Sequence, residues 1–387
     1  MKKVETAIII GGGIAGLTVA TALSRQGIAC RVFESNDCLR EVGAGLTLWS
    51  NGMYALQELG LSPSVQSRGR VVESFRFLDS HGTVLGAVDL ARLEKLVGCK
   101  SVTIHRRRLI EALRQGVEAK CEVKLKHKFL RYKQSNGIVS AYFENGAVYE
   151  ADLLIGADGF NSAVRKQMLL DQSRRYSGYT CFRAVTPLSP SRIPSGAVWH
   201  TNGDGAQFGL LHTHDGEMAW YATANMPAGV VEDGPERKRY LLERFSGYHN
   251  LVGELLDATE ADTILKNDIY DREPVYDWTD GNVLILGDAA HPTTPNLGQG
   301  ACMAIEDAVV LGRLLKPGFG VELSSLLERF CLRRMRRTSF VTRSSRRAGI
   351  FNQSVNPIWM KYRDGFTRAA IKGGSMPTID KIMGHKI

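Results

Sequence analysis

The sequence predicts an α/β fold: a Rossmann-like domain, interrupted by a β-rich section and followed by a helical C-terminal segment. Three observations predict it. The N-terminal stretch "VETAIIIGGGIAGLTVATALSRQGIACRVFES" reads as strand, glycine turn, helix, strand. Two later apolar runs, "LLIGADG" and "LILGDAA", each end in a glycine and an acid. Parallel strands covered on both faces look like this, and they deliver their last residues to the ligand edge of the sheet. From about Tyr176 to Pro274 the pattern is β-rich, and after the second apolar run it is helical to about Ala370.

In order along the chain, Ala7–Ile10 is a short apolar strand, Ile14–Arg25 has helical spacing, and "CRVFE" resumes a strand that ends on Glu34. A helical "NGMYALQELGL" follows, then "ESFRFLD" and "TVLGAVDL" around the turn "SHG", then a helix in "RRRLIEALRQGV". The stretch from Cys121 to Gly159 reads as a meander with turns at Asn136-Gly137 and Asn145-Gly146. The β-rich section holds one helix, "PERKRYLLERFSGY". The expected boundaries are a discontinuous cofactor domain (1–70, 101–175 and 276–325), a second domain (71–100 and 176–275), a helical segment (326–371) and a tail (372–387). Gly373-Gly374 make that tail a candidate for poor order.

A hydrophobic content of 44% with 23% charge is ordinary for a globular protein and excludes a disordered or membrane-embedded chain. Seven scattered cysteines without a C-x-x-C pair favour a reducing, cytoplasmic compartment over a disulfide framework. Glu5 and the Gly11–Gly13 triplet break the first apolar run, which excludes a signal peptide. The net charge is +9, and eight arginines between Arg329 and Arg347 supply nearly all of it. Nucleic acid or an acidic membrane, through weak peripheral contact, could bind such a helix. The favoured reading is a solvated helix whose Phe330, Leu332, Met335, Phe340 and Val341 pack on the core, without an aromatic platform for bases. His212-x-His214 beside Asp215-Gly216 reads as hairpin chemistry, so no metal is expected.

Gly11-x-Gly13-x-x-Gly16 lies between strand and helix, with Glu34 closing the next strand. Gly11 permits the turn, Gly13 lets the backbone approach a pyrophosphate, and Gly16 allows close helix packing. The helix N-terminus offers N–H groups to phosphates, and Glu34 can accept from ribose hydroxyls.

Together "GGGIAGL", "DLLIGADGFNSAVR" and "GNVLILGDAAHPTTPNLGQG", with "YSGYTCFRAV" between the last two, resemble the class A flavoprotein monooxygenases, the para-hydroxybenzoate hydroxylase-like family. The resemblance runs in order from about Val4 to Arg347, and within the family it is similar to the urate hydroxylase and zeaxanthin epoxidase-like branch. It implies a GR2-type FAD-binding fold, with Asp158 and Arg165 serving FAD and a visiting nicotinamide. Asp288 would bind the ribityl or ribose hydroxyls, and Gly298, Gln299, Gly300 and Ala301 would stabilise the reduced flavin's charged edge. Pro295 would lie where oxygen is activated, and Arg40 and Arg106 near the FAD. Ile14, Ala15, Ser35, Thr47 and Phe129 complete the candidate cofactor set, and Pro295, Asn296 and Gln207 the candidate catalytic set.

The implied activity is a single-component monooxygenase. NADPH or NADH would reduce FAD and leave, and O2 would then give a flavin hydroperoxide that hydroxylates or epoxidises an apolar, aromatic or polycyclic substrate. Urate hydroxylases carry an acid after the flavin-side proline, where this chain has Asn296, and an arginine and a tyrosine where it has Gln207 and Ala219. Urate is therefore not the expected substrate. Two alternatives remain open at this point: an FAD-dependent dehydrogenase or reductase without oxygen insertion, and a flavin-loaded binding protein. A monomer or a homodimer fits equally.

Overall fold

In the computed structural model, which describes residues 4–39, 44–118, 121–170, 173–188, 190–214, 216–317, 321–372 and 377–387, the strand Thr6–Ile10 lies inside a six-stranded sheet. Its neighbours are Ala29–Phe33 and Leu153–Gly156, and beyond these lie Cys121–Lys124 and Val283–Ile285, all parallel. Thr279–Asp280 adds an antiparallel edge. Ile10 is in register with both Phe33 and Gly156, and Gly156 with Ile285. The strands therefore stop level with one another, and the residues after them, Gly11, Glu34, Asp158 and Asp288, share one edge. The helices Ile14–Ser24 and Gly300–Leu314 pack together so closely that a Cβ at Gly312 would lie 3.0 Å from that of Ala22.

The second large sheet has seven strands, ordered Leu265–Asp271, Arg175–Thr186, Glu217–Asn225, Ala206–His214, Ala197–Asn202, Ser74–Asp79 and Val84–Ala87. Strand alternation sorts its side chains. Phe208, Leu210 and Trp220 bury one face against the helices Gly234–Arg244 and Asn250–Asp257. The register places Tyr179, Tyr221, Thr223 and Gln207 on the other. That face meets the cofactor domain at Gly45, where an added Cβ would sit 2.4 Å from the Ala219 methyl.

Several expectations are corrected. The Cys121–Gly159 stretch is not one meander. Its first and last strands join the parallel sheet, and only Phe129–Ser135, Ile138–Phe143 and Val148–Ala151 form an antiparallel trio. That trio covers Phe33 with Phe143 and Tyr149. The tail is structured from Pro377: Pro377–Met383 is a helix whose Ile382 and Met383 are buried, because an apolar pair at its inner face finds core to cover. Arg40 and Asp215 lie outside the described residues.

The arginine-rich helix, Leu323–Asn352, departs most from expectation. Leu332 does not pack on the core; it is 75% exposed. Arg334 is buried instead, and it pairs with Asp307 (2.6 Å) and Glu306 (2.9 Å) on the helix Gly300–Leu314. Arg337 bonds both Glu306 oxygens at 2.7 Å, one of which also accepts from Asn51 at 2.7 Å. Burial alone would push the Glu306 carboxyl up. The guanidinium groups of Arg334 and Arg337, with Asn51, outweigh it and hold the pKa down at about 2. Asp307 is likewise held below the ordinary range by His291 and Arg334, against the effect of burial.

Both carboxyls are depressed in the fold, so their contribution to stability is complete above the unfolded carboxylate range, about pH 4. It is lost as pH falls through the lower folded values. Chemical denaturation from pH 6 down to pH 2 should therefore show a steep loss of stability below about pH 4. In Arg334→Ala, which breaks the buried pairing at a cost of about 3–5 kcal/mol, that loss should be shallower and start from a lower plateau.

Candidate active site

The turn after the first strand can be built only from glycine. Gly11 takes φ +105°, and a Cβ there would lie 2.4 Å from the Ala157 carbonyl oxygen. A Cβ at Gly16 would fall 1.8 Å from the Gly11 oxygen, so the helix tucks directly under the turn. Gly13 differs: a Cβ there would have no atom within 4 Å. Its glycine therefore leaves space open in front of the helix N-terminus, where a phosphate would meet free N–H groups. Ile14 is buried in the first helical turn, and Ala15 abuts Gly287.

Glu34 is held by its own loop. One carboxylate oxygen accepts the Gly12 N–H (3.0 Å), the other the Asn36 N–H (3.0 Å) and the Ser35 hydroxyl (3.1 Å). Phe129 is buried edge-on against Phe143 and supports this corner from below. Thr47 sits half-buried opposite Thr103.

Asp158 accepts the N–H groups of Ala163 (2.8 Å) and Val164 (3.3 Å) through Oδ2. Its Oδ1 is buried with no donor among the described residues. Burial raises its pKa, opposed by the bonds from Ser162, Val164 and Ala163. Arg165 turns inward and donates to the carbonyls of Ala289 (3.0 Å) and Ala290 (3.2 Å), which ties the Asp158 strand to the loop carrying Asp288. Asp288 and Arg106 are reachable by water yet lie in a recess crowded by protein. Desolvation raises the pKa of Asp288, with His291 and Arg106 opposing; desolvation lowers that of Arg106, with Asp288 opposing.

The loop from His291 to Gln299 is fixed at every step. His291 Nε2 lies 2.6 Å from Asp307, whose same oxygen accepts the Gly287 N–H. Thr294 exchanges hydrogen bonds with Ser345 of the arginine-rich helix. The Pro295 carbonyl accepts the Gly298 N–H at 2.9 Å, closing a short 3-10 turn with Gly298 at φ +60°. Asn296 donates to the Tyr179 hydroxyl at 2.7 Å. The Gln299 amide pairs with Asn51 at 2.9 and 3.3 Å, and the N–H groups of Gly300 and Ala301 stand in the first helical turn, where they have no intrahelical acceptor.

Gln207 belongs to a separate network. It contacts His200 and Asn202 at 3.0 Å each, His200 reaches the Tyr221 hydroxyl at 2.6 Å, and Gln353 bonds Thr223 at 2.7 Å. Burial pushes the His200 pKa down to about 4, so the imidazole is neutral at pH 7.

The sequence reading missed Trp49, Asn51, Tyr179, Arg334 and Arg337. The Trp49 indole N–H is buried without an acceptor among the described residues, 2.8 Å from where a Cβ at Gly298 would lie. Cys302 is buried, with its thiol pushed up to about 12 by burial, which leaves it unreactive. The space at Gly13, the unmet Asp158 oxygen, and the Trp49 N–H beside Gly298 fit one extended ligand. It would have phosphates at one end and a polar-edged ring at the other, as FAD has.

Comparison with known proteins agrees. Residues 3–343 match the FAD binding domain family, and the chain belongs to it; it is a class A flavoprotein monooxygenase. It is 38% identical over 358 residues to an aurachin C monooxygenase/isomerase of Stigmatella aurantiaca, covering 92% of each chain. It is 34% identical to an FAD-dependent urate hydroxylase of Klebsiella oxytoca, over 80% of this chain and 81% of the relative. The crystal structure of Klebsiella pneumoniae HpxO complexed with FAD and uric acid superposes with a TM-score of 0.90 at 27% identity, over 98% and 97% of the two chains.

The two glycines separate folding from binding. Gly13→Ala should keep apo stability within about 1 kcal/mol and lose FAD affinity, because the added methyl occupies phosphate space. Gly11→Ala should yield little folded protein. Thermal unfolding with and without added FAD reads both.

Proposed function

We propose that this monooxygenase uses NAD(P)H and O2 to place one oxygen atom, as a hydroxyl or an epoxide, on a neutral, apolar molecule of aromatic or polycyclic type. The observation that carries the substrate class is the uncharged network of Tyr221, His200, Gln207, Thr223 and Gln353. It shares its sheet face with Tyr179, whose hydroxyl meets Asn296 of the flavin-side loop. A substrate held between sheet and loop would thus meet neutral hydrogen-bonding groups at this network, with Arg183, in register with Tyr221, as a charge on the same face. A neutral molecule is matched to the network itself, where an anion would be desolvated against uncharged groups.

Bound FAD supplies the relay of electrons from NAD(P)H to O2. The chain's residues do the rest. Glu34, Asp158 and Asp288 would receive hydroxyl groups of the cofactor, and the N–H groups opening the helix at Gly300 would favour negative charge on it. The sheet covers the reacting face and keeps water from it.

The FAD-loaded protein should reduce its flavin faster with NADPH or NADH when a neutral fused aromatic compound is present, giving a product heavier by one oxygen drawn from labelled dioxygen. Urate should produce neither effect. Efficient urate turnover would overturn the substrate assignment. NADPH oxidation giving only peroxide across a broad set of neutral aromatics would overturn the oxygen transfer itself.

A further inference from the structure

The arginine-rich helix has two faces with different chemistry. Arg334, Arg337 and Arg346 turn inward and pair with Glu306, Asp307 and Asp271. Arg329, Arg333, Arg336, Arg343 and Arg347, spaced by three, four or seven residues, share the opposite, exposed face. Among the described residues none of these five has a carboxylate partner; Arg343 reaches only the Tyr276 hydroxyl, at 3.2 Å. Apolar side chains stand between them, with Leu332 75% and Ile350 65% exposed. Met335, Phe340 and Tyr276 floor a groove of about 540 Å³ along this face.

The apolar stripe continues onto the next helix, Pro357–Lys372. Ile358, Trp359, Tyr362 and Phe366 are each more than half exposed there. Ring contacts of Phe351 with Tyr362 and Phe366, at centroid distances of 6.4 and 6.5 Å, join the stripe to the end of the arginine-rich helix.

We propose that this surface docks on an anionic lipid bilayer. Uncompensated arginines with exposed leucine, isoleucine and aromatic side chains between them match a layer of phosphates above hydrocarbon. Tryptophan and tyrosine favour that boundary. A soluble phosphate would gain nothing from Leu332 or Ile350. A nucleic acid would need open rings among the arginines for stacking, and Phe340, the ring that the arginine-rich helix carries among them, is covered by the Lys381 ammonium at 4.2 Å, while the open rings lie on the next helix. No helix among the described residues is long and apolar enough to cross a membrane, so the contact is interfacial. This inference goes beyond the proposed substrate and does not depend on it.

The test is co-sedimentation of the FAD-loaded protein with vesicles of phosphatidylglycerol and phosphatidylcholine, against phosphatidylcholine alone. Binding should need the anionic lipid and weaken as salt is raised. A variant carrying Arg329→Ala, Arg333→Ala, Arg336→Ala and Arg347→Ala should bind at least about tenfold more weakly. Leu332→Ser with Ile350→Ser, which keeps the charge, should weaken binding several-fold. The changed residues are exposed, and unaltered flavin absorbance checks that each variant is folded. Three results would each overturn the proposal: no preference for the anionic vesicles, wild-type binding by the serine variant, and release by inorganic phosphate or an oligonucleotide at constant ionic strength.

Discussion

The buried cluster of Glu306, Asp307, Arg334 and Arg337 is the interaction on which the candidate site depends. Two adjacent carboxylates on the helix Gly300–Leu314 are ionised inside the protein, which is costly unless every lone pair is met. Arg334 and Arg337 meet them from the arginine-rich helix, Asn51 from a third helix, and His291 and the Gly287 N–H from the flavin-side loop. Each partner is thereby fixed. Asn51 in turn holds Gln299, and His291 opens the loop that carries Pro295 and Asn296. One set of charge-assisted bonds thus sets the shape of the loop, the start of the helix and the seat of the C-terminal segment.

The same helix divides its labour by face. Its inner side carries Arg334, Thr338, Val341 and Ser345, and Ser345 reaches Thr294 of the flavin-side loop. Its far end supplies Gln353 to the network on the Tyr179 face of the seven-stranded sheet. The sheet and the loop are consequently braced from one rod rather than through flexible connections. A site that must keep water from a reactive centre gains from such rigidity.

Much of the glycine-and-acid edge of the parallel sheet was legible because its motifs are local. Gly11, Gly16, Glu34, Asp158 and Asp288 are dictated by turns and strand ends, and parallel pairing alone aligns them. The arginine-rich helix was misread because its count of like charges obscured its periodicity. Arg334 falls on the same face as Leu327, Phe330, Val341 and Ser345, a position that calls for a buried partner, and Glu306-Asp307 follow closely on the Gly298–Ala301 motif. Leu332 stands about 160° around the helix from Arg334, so the same periodicity places it outside once the buried face is recognised. Trp49 and Tyr179 were missed for a different reason: their roles come from long-range packing, against Gly298 and Asn296, that no local pattern announces.

The claim that the buried cluster shapes the flavin site is tested most directly by the FAD dissociation constant of Arg334→Met, set beside that of Arg336→Met on the outer face. Fluorescence titration of protein verified as folded by circular dichroism measures both. Weakening of at least about tenfold for Arg334→Met, with Arg336→Met indistinguishable from the unaltered protein, is the expected result. Equal FAD affinity in all three proteins would contradict it.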